Sequence, residues 1–160
     1  MFRGNHPAKI DEKARLKLPA AFKTQVDADA VAYFYITSVD GKSAEIWPLH
    51  EWKKREDALA QHSMDEAVQI YIDATSYYGQ QVQIDVQGRL LLPQILRTAA
   101  ELKDEDVVVL GKMNYLEVVN RAAFENRLKE RAFTGEHRQR IAQILEAEAS
   151  KPAAGTPAQG

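Results

Sequence analysis

The stretch IDEKARLKLP, residues 10–19, returns as IDVQGRLLLP at residues 84–93. Ile10/Ile84, Asp11/Asp85, Arg15/Arg89, Leu16/Leu90, Leu18/Leu92 and Pro19/Pro93 agree, six of ten positions at a constant offset of 74 residues. Apolar Ile10, Leu16 and Leu18 alternate with polar neighbours at the period of two that marks a half-buried strand. Between the arms, Asp-x-x-x-Arg spans a tight connection. A carboxylate and a guanidinium four residues apart across a turn can form a charge-assisted pair. Gly88, just before Arg89, suits a backbone with positive φ. Asp11, Asp85 and Gly88 are therefore expected to structure the turns.

Outward from the motif the two halves keep matching. After Pro19 comes AAFKTQV, and after Pro93 comes QILRTAAEL. Proline preset near φ −65° suits a first helical turn, so both segments read as short helices. AVAYFYITSV and DVVVLGK follow, rich in β-branched and aromatic residues, and read as strands. Asp40-Gly41 is a strong hairpin signal, with Lys112-Met113-Asn114 as a softer counterpart. The returning strands are SAEIWPL and YLEVVN, each followed by a helix that carries an aromatic, Trp52 or Phe124. The simplest account is a duplicated unit of strand, turn, strand, helix, strand, strand, helix. One such unit has too few strands to bury its faces alone. Two packed about a pseudo-two-fold axis could close a small barrel and remove the sheet edges.

Between the copies, Ser63 to Glu66 fits a capping box with Ser63 at the cap. Ala67, Tyr71, Ala74 and Tyr78 then fall on one helical face. Towards the C-terminus Phe124, Leu128 and Ala132 mark one helix, Gly135 interrupts, and Ile141, Ile144 and Leu145 continue as a stripe expected to be core or self-packing. SKPAAGTPAQG is small, Pro- and Gly-rich and patternless, and is expected to be disordered.

Composition narrows the function. The 160 residues contain no cysteine, which removes disulfides and thiolate metal sites. No apolar run reaches the roughly 20 residues that span a bilayer, and MFRGNHPAKI lacks a secretory apolar core. A soluble, cytoplasmic protein is expected, with no membrane partner. Net charge is −2, yet residues 1–23 carry a local +4 from Arg3, Lys9, Lys13, Arg15, Lys17 and Lys23 against Asp11 and Glu12. A basic N-terminal segment thus sits on an acidic body. Lys13 and Lys17 flank Arg15, more positive charge than one carboxylate neutralises. Arginine's planar fork matches guanine O6 and N7 in the major groove, and neighbouring lysines suit phosphates. A single loop binds weakly, so several copies in an oligomer would add avidity.

MFRG at 1–4, DEKARLKLP at 11–19, EIWPLHEW at 45–52 and DVQGRLLLP at 85–93, in this order along about 130 residues, resemble the MraZ family, built from two AbrB-type (SpoVT-AbrB) units. The resemblance implies an α+β fold, an internally duplicated SpoVT-AbrB-like β-barrel with flanking helices. It also implies a homo-oligomeric ring and a nucleoid-associated regulator of transcription. Such a regulator binds G-rich direct repeats upstream of the division and cell-wall gene cluster, including its own gene, mostly as a repressor. Carried over by residue, Arg15 contacts double-stranded DNA, with Lys13 and Arg3 beside it and Lys17 adjoining, and Arg89 is the second-motif arginine. The family usually has glycine where this chain has Ala14. The second loop is less basic, so the first is expected to dominate affinity. The expected organisation is a first repeat at 1–54, a connecting helical segment at 55–79, a second repeat at 80–127, a C-terminal helix at 128–149 and a disordered tail at 150–160.

Other chemistries fit poorly. One aspartate per repeat is reminiscent of paired-carboxylate proteases, but Asp11 and Asp85 are followed by Glu12-Lys13 and Val86-Gln87 rather than small hydroxyl and glycine residues. His6, His50, His62 and His137 show no ligand spacing, and Gly41, Gly79, Gly88 and Gly111 form no phosphate loop. No enzyme, cofactor or metal is expected. The alternative is an AbrB-like interaction or antitoxin-type module without an operator of its own, using the helix at 136–148.

Overall fold

The computed structural model describes residues 1–153, apart from the side chain of Glu105; residues 154–160 of the expected tail lie outside the described residues. The chain divides into two compact units, the first Met1–Glu125 and the second from Asn126 onward. In the first, β1 (Asn5–Ile10), β2 (Arg15–Lys17), α1 (Ala20–Ala28), β3 (Tyr33–Thr37), β4 (Ala44–Pro48) and α2 (Leu49–Ala60) form one series. After α3 (Glu66–Tyr77) the series returns as β5 (Gln80–Gln83), β6 (Arg89–Leu91), α4 (Gln94–Ala99), β7 (Asp104–Lys112), β8 (Tyr115–Asn120) and α5 (Arg121–Glu130). Pro19 and Pro93, at φ −54° and −56°, stand at the N-caps of α1 and α4, one position before the first helical turn.

The eight strands make one antiparallel sheet in the order β5-β3-β4-β8-β7-β1-β2-β6. This order interleaves the copies. Equivalent strands pair across a pseudo-dyad, β2 with β6 and β4 with β8, while β1 pairs with β7 and β5 with β3. The two outermost strands, β5 and β6, are the arms of the second motif. The turn between them, where Asp85 N–H donates to Arg89 O at 3.0 Å, brings the sheet nearly to closure as a barrel. The fold is α+β with a duplicated barrel, as the repetition predicts.

Leu16, Leu18, Leu90 and Leu92 turn inward and join Phe34, Ile36, Ile46, Leu116, Val107 and Val109 in one apolar core. Outside β3 and β4, an aromatic group holds α2 down. Trp52 stacks on Tyr35 at 4.6 Å between ring centres and meets Trp47 edge-on at 5.7 Å, while Tyr115 stacks on Trp47 at 4.3 Å. The Arg55 guanidinium lies over Trp47 at 4.7 Å. Each such aromatic pair adds about 0.5–1.5 kcal/mol beyond area burial. The dyad also sets Glu45 opposite Glu117. Burial pushes the Glu45 carboxyl above its usual range, although Trp47 Nε1–H donates to it at 3.1 Å.

Two expectations need correction. α3 is capped by Asp65, whose side chain accepts from Ala67 N–H at 2.8 Å, and not by Ser63. The side chain nearest the helix start wins because its oxygen reaches the free N–H groups. α3 buries Thr75, whose carbonyl accepts from Tyr35 Oη at 2.8 Å and Thr37 Oγ1 at 2.7 Å. In the second unit, α6 (Gly135–Ala149) starts at Thr134, which exchanges backbone and side-chain hydrogen bonds with His137. Its Ile141, Ile144 and Leu145 are exposed, so of the two expected roles, core and self-packing, the stripe does not fill the first.

Candidate nucleic-acid interface

The two motif turns are built alike, atom for atom. Asp11 Oδ1 accepts from Lys13 N–H at 3.0 Å and Arg15 N–H at 2.9 Å, and Oδ2 accepts from Arg15 Nε–H at 2.8 Å. Asp85 Oδ1 accepts from Gln87 N–H and Arg89 N–H, both at 2.9 Å, and Oδ2 from Arg89 Nε–H at 2.8 Å. One carboxylate thus closes the turn and aims the arginine, because binding through Nε fixes the plane of the guanidinium. Each aspartate is held by its own arginine.

Backbone bonds tie the turns together across the dyad. Leu18 N–H donates to Gly88 O at 2.9 Å, and Leu92 N–H donates to Ala14 O at 3.0 Å. The residue that offers its carbonyl is left-handed in both turns, Ala14 at φ 64° and Gly88 at φ 77°. That region costs alanine about 1–2 kcal/mol, partly offset by glycine's greater chain entropy. Ala14→Gly should therefore stabilise the protein by about 1 kcal/mol and raise Tm by ~3 °C in a thermal melt.

β2 and β6 form a short two-stranded ribbon with register Arg15↔Leu91, Leu16↔Leu90 and Lys17↔Arg89. Leu16 and Leu90 point inward, so Arg15, Lys17, Arg89 and Leu91 share the outward face. The side chains of Arg15 and Arg89 are 29% and 23% exposed, so both reach solvent from a supported base. With Lys9, Ile10, Asp11 and Asp104 they line an open recess of about 560 Å³. Lys17 and Arg89 are directly opposed cations, an arrangement that costs a sheet about 0.2–1 kcal/mol unless an anion lies over it.

Lys13 stands in the turn itself. Arg3 does not stand beside Arg15. Phe2 N–H donates to Met113 O at 2.6 Å and Gly111 N–H to Gly4 O at 2.7 Å, which places Arg3 against the β7–β8 hairpin. β1 then separates it from the turn by about 20 Å at ~3.3 Å per residue. Lys9, on the recess wall, was signalled only by the count of N-terminal basic residues, since it lies outside the repeated motif.

The carboxyls respond to this setting. The Arg15 N–H bond, outweighing desolvation, lowers the Asp11 pKa below its ordinary 3.8, helped by the Arg15 side chain. At Asp85 desolvation opposes, yet the Arg89 backbone and side-chain bonds still lower it. A lowered carboxylate pKa stabilises the fold above the unfolded value and loses that contribution as pH falls through the folded value. The stability gap between the protein and its Asp11→Asn/Asp85→Asn variant should thus be full at neutral pH and shrink in denaturant titrations as pH falls below the ordinary carboxylate range and through the lowered folded-state values.

Among the described residues no helix is long and apolar enough to cross a membrane. A family model described as "MraZ protein, putative antitoxin-like" matches residues 1–74 and 79–144. A protein of Acidobacterium capsulatum named Transcriptional regulator MraZ is 51% identical over 145 residues, covering 90% of this chain and 99% of the relative. Proteins of the same name from Koribacter versatilis and Pediococcus pentosaceus are 42% and 33% identical, covering 90% and 81% of this chain and 99% and 88% of their own. With a matching family model over nearly the whole barrel and relatives matched almost end to end, the chain belongs to the MraZ family.

Proposed function

We propose that the protein is a sequence-specific DNA-binding regulator of transcription. The observation that carries this reading is the outward face of the β2–β6 ribbon, where Arg15, Lys17 and Arg89 stand together on a rigid, self-tied support. A two-stranded ribbon fits the major groove, and guanidinium groups held through Nε can offer their remaining N–H groups to guanine O6 and N7. Lys13 and Lys17 suit phosphates on either side. The relatives' name points the same way.

The finer reading follows the family resemblance. The protein acts as a repressor of the division and cell-wall gene cluster, including its own gene, and reads G-rich direct repeats from the nucleoid. One ribbon is a small contact, so a homo-oligomer is required for useful affinity. A head-to-tail ring presents equal ribbons at regular spacing, which matches direct repeats rather than palindromes.

Gel-shift titration against salt tests the reading. Log affinity should fall linearly with log salt, by about 0.9 per phosphate contact. Lys17→Ala should flatten that slope by about 1 and leave the preference for guanine-containing DNA intact. Salt-independent co-purification of a protein partner, with no retarded DNA, would instead favour the interaction-module reading and the exposed stripe on α6.

A further inference from the structure

The pseudo-dyad through Leu16 and Leu90 would make the two ends of the ribbon interchangeable, but one pair of equivalent positions breaks the match. Lys17 in the first copy is replaced by Leu91 in the second. Leu91 is 53% exposed, whereas its neighbours Leu90 and Leu92 are buried. On the outward face of the ribbon it stands beside three cations, Arg15, Lys17 and Arg89. The ribbon therefore has two unlike rungs. One pairs Arg15 with Leu91, the other Arg89 with Lys17.

Side chains directly opposite on an antiparallel ribbon start about 5 Å apart. Stacked base pairs follow one another at about 3.4 Å. With the ribbon lying oblique to the DNA axis, so that both of its directions project onto that axis, a guanidinium and a leucine on one rung face neighbouring base pairs. The two rungs lie two residues apart, about 7 Å, or roughly two base pairs. In the major groove the apolar feature that a leucine can meet is the thymine C5-methyl group. Burying Leu91 against a cytosine amine or a phosphate would instead desolvate a polar group without a partner.

The geometry points to Leu91 as a specificity-determining residue that contacts the methyl group of a thymine next to the guanine read by Arg15. The second guanine, read by Arg89, lies about two base pairs further on. This inference rests on the DNA-binding reading above and adds polarity to it. The thymine marks one end of the ribbon's footprint, so each protomer docks in one direction.

The test uses the full chain and a random duplex pool. Wild-type protein should select a guanine with a thymine fixed beside it. Replacing that thymidine by deoxyuridine removes only the methyl and should weaken wild-type binding about fourfold, the value of one buried methyl-sized group. Leu91→Ala should bind both duplexes equally and select no thymine. Leu91→Lys should also lose the thymine preference and steepen the salt slope by about 1. Light scattering on both variants tests the rival role, since Leu91 could pack between subunits. A change in particle size, or an equal deoxyuridine penalty in wild type and Leu91→Ala, overturns the inference while leaving DNA binding intact. Failure of wild-type protein to select any duplex overturns the DNA-binding reading itself.

Discussion

Arg15→Ala and Arg89→Ala should each remove specific DNA binding from a protein that still folds. A guanidinium paired with guanine contributes about 1–3 kcal/mol of discrimination, and in an oligomer the loss recurs at every engaged protomer. The fold should survive because each aspartate keeps its backbone bonds. Asp11 retains Lys13 N–H and Arg15 N–H, and Asp85 retains Gln87 N–H and Arg89 N–H. Losing these half-buried, solvent-reaching ion pairs should cost on the order of 1 kcal/mol. The charges of the two loops suggest that the first dominates. The matched hydrogen bonds and the position of Lys17 opposite Arg89 support near-equal losses of specificity instead, with the lysines governing only salt dependence. Gel-shift titration beside a thermal melt checks this. A variant that keeps its guanine preference while its Tm drops sharply would make the arginine a turn component rather than a reader.

Leu16→Ala should carry the largest stability penalty near the site. Leu16 and Leu90 are fully buried register partners on the dyad, beneath the ribbon. Truncating a buried leucine costs about 2–5 kcal/mol, because the space left is refilled only in part. For a chain of this size that lowers Tm by on the order of 10 °C. Leu90→Ala should match it, and the double variant should lose less than the sum, since the two side chains share one space. Denaturant titration measures all three. A loss below about 1 kcal/mol for Leu16→Ala would show that the dyad is not a packed core.

The duplicated barrel was legible because the repeated motif combines a strand period, a turn residue and a proline at fixed spacing. Alternation placed Leu16 and Leu18 inside, whereas the run Leu90-Leu91-Leu92 does not alternate and shows its inward pair only by its match to the first copy. The turn pairs Asp11–Arg15 and Asp85–Arg89 were legible too, since four residues across a tight turn leave few other partners. Interleaving was not. Nothing local says that β1 should pair with β7 of the other copy, because pairing between copies is decided by closure of the whole sheet. The same long-range pairing sets Lys17 beside Arg89 and Glu45 opposite Glu117, and takes Arg3 away from the turn. The cap of α3 was misplaced because Ser63 and Asp65 offer the same chemistry two residues apart.

A covalent link between two halves that exchange strands has a further outcome. Were the halves separate polypeptides, every change in one would appear in both, and dilution would take the barrel apart. Tethered in tandem, they meet at fixed stoichiometry, and each is free to mutate alone. Departures such as Ala14 against Gly88, or lysine against leucine on the ribbon, can then accumulate on one side of a nearly symmetric body.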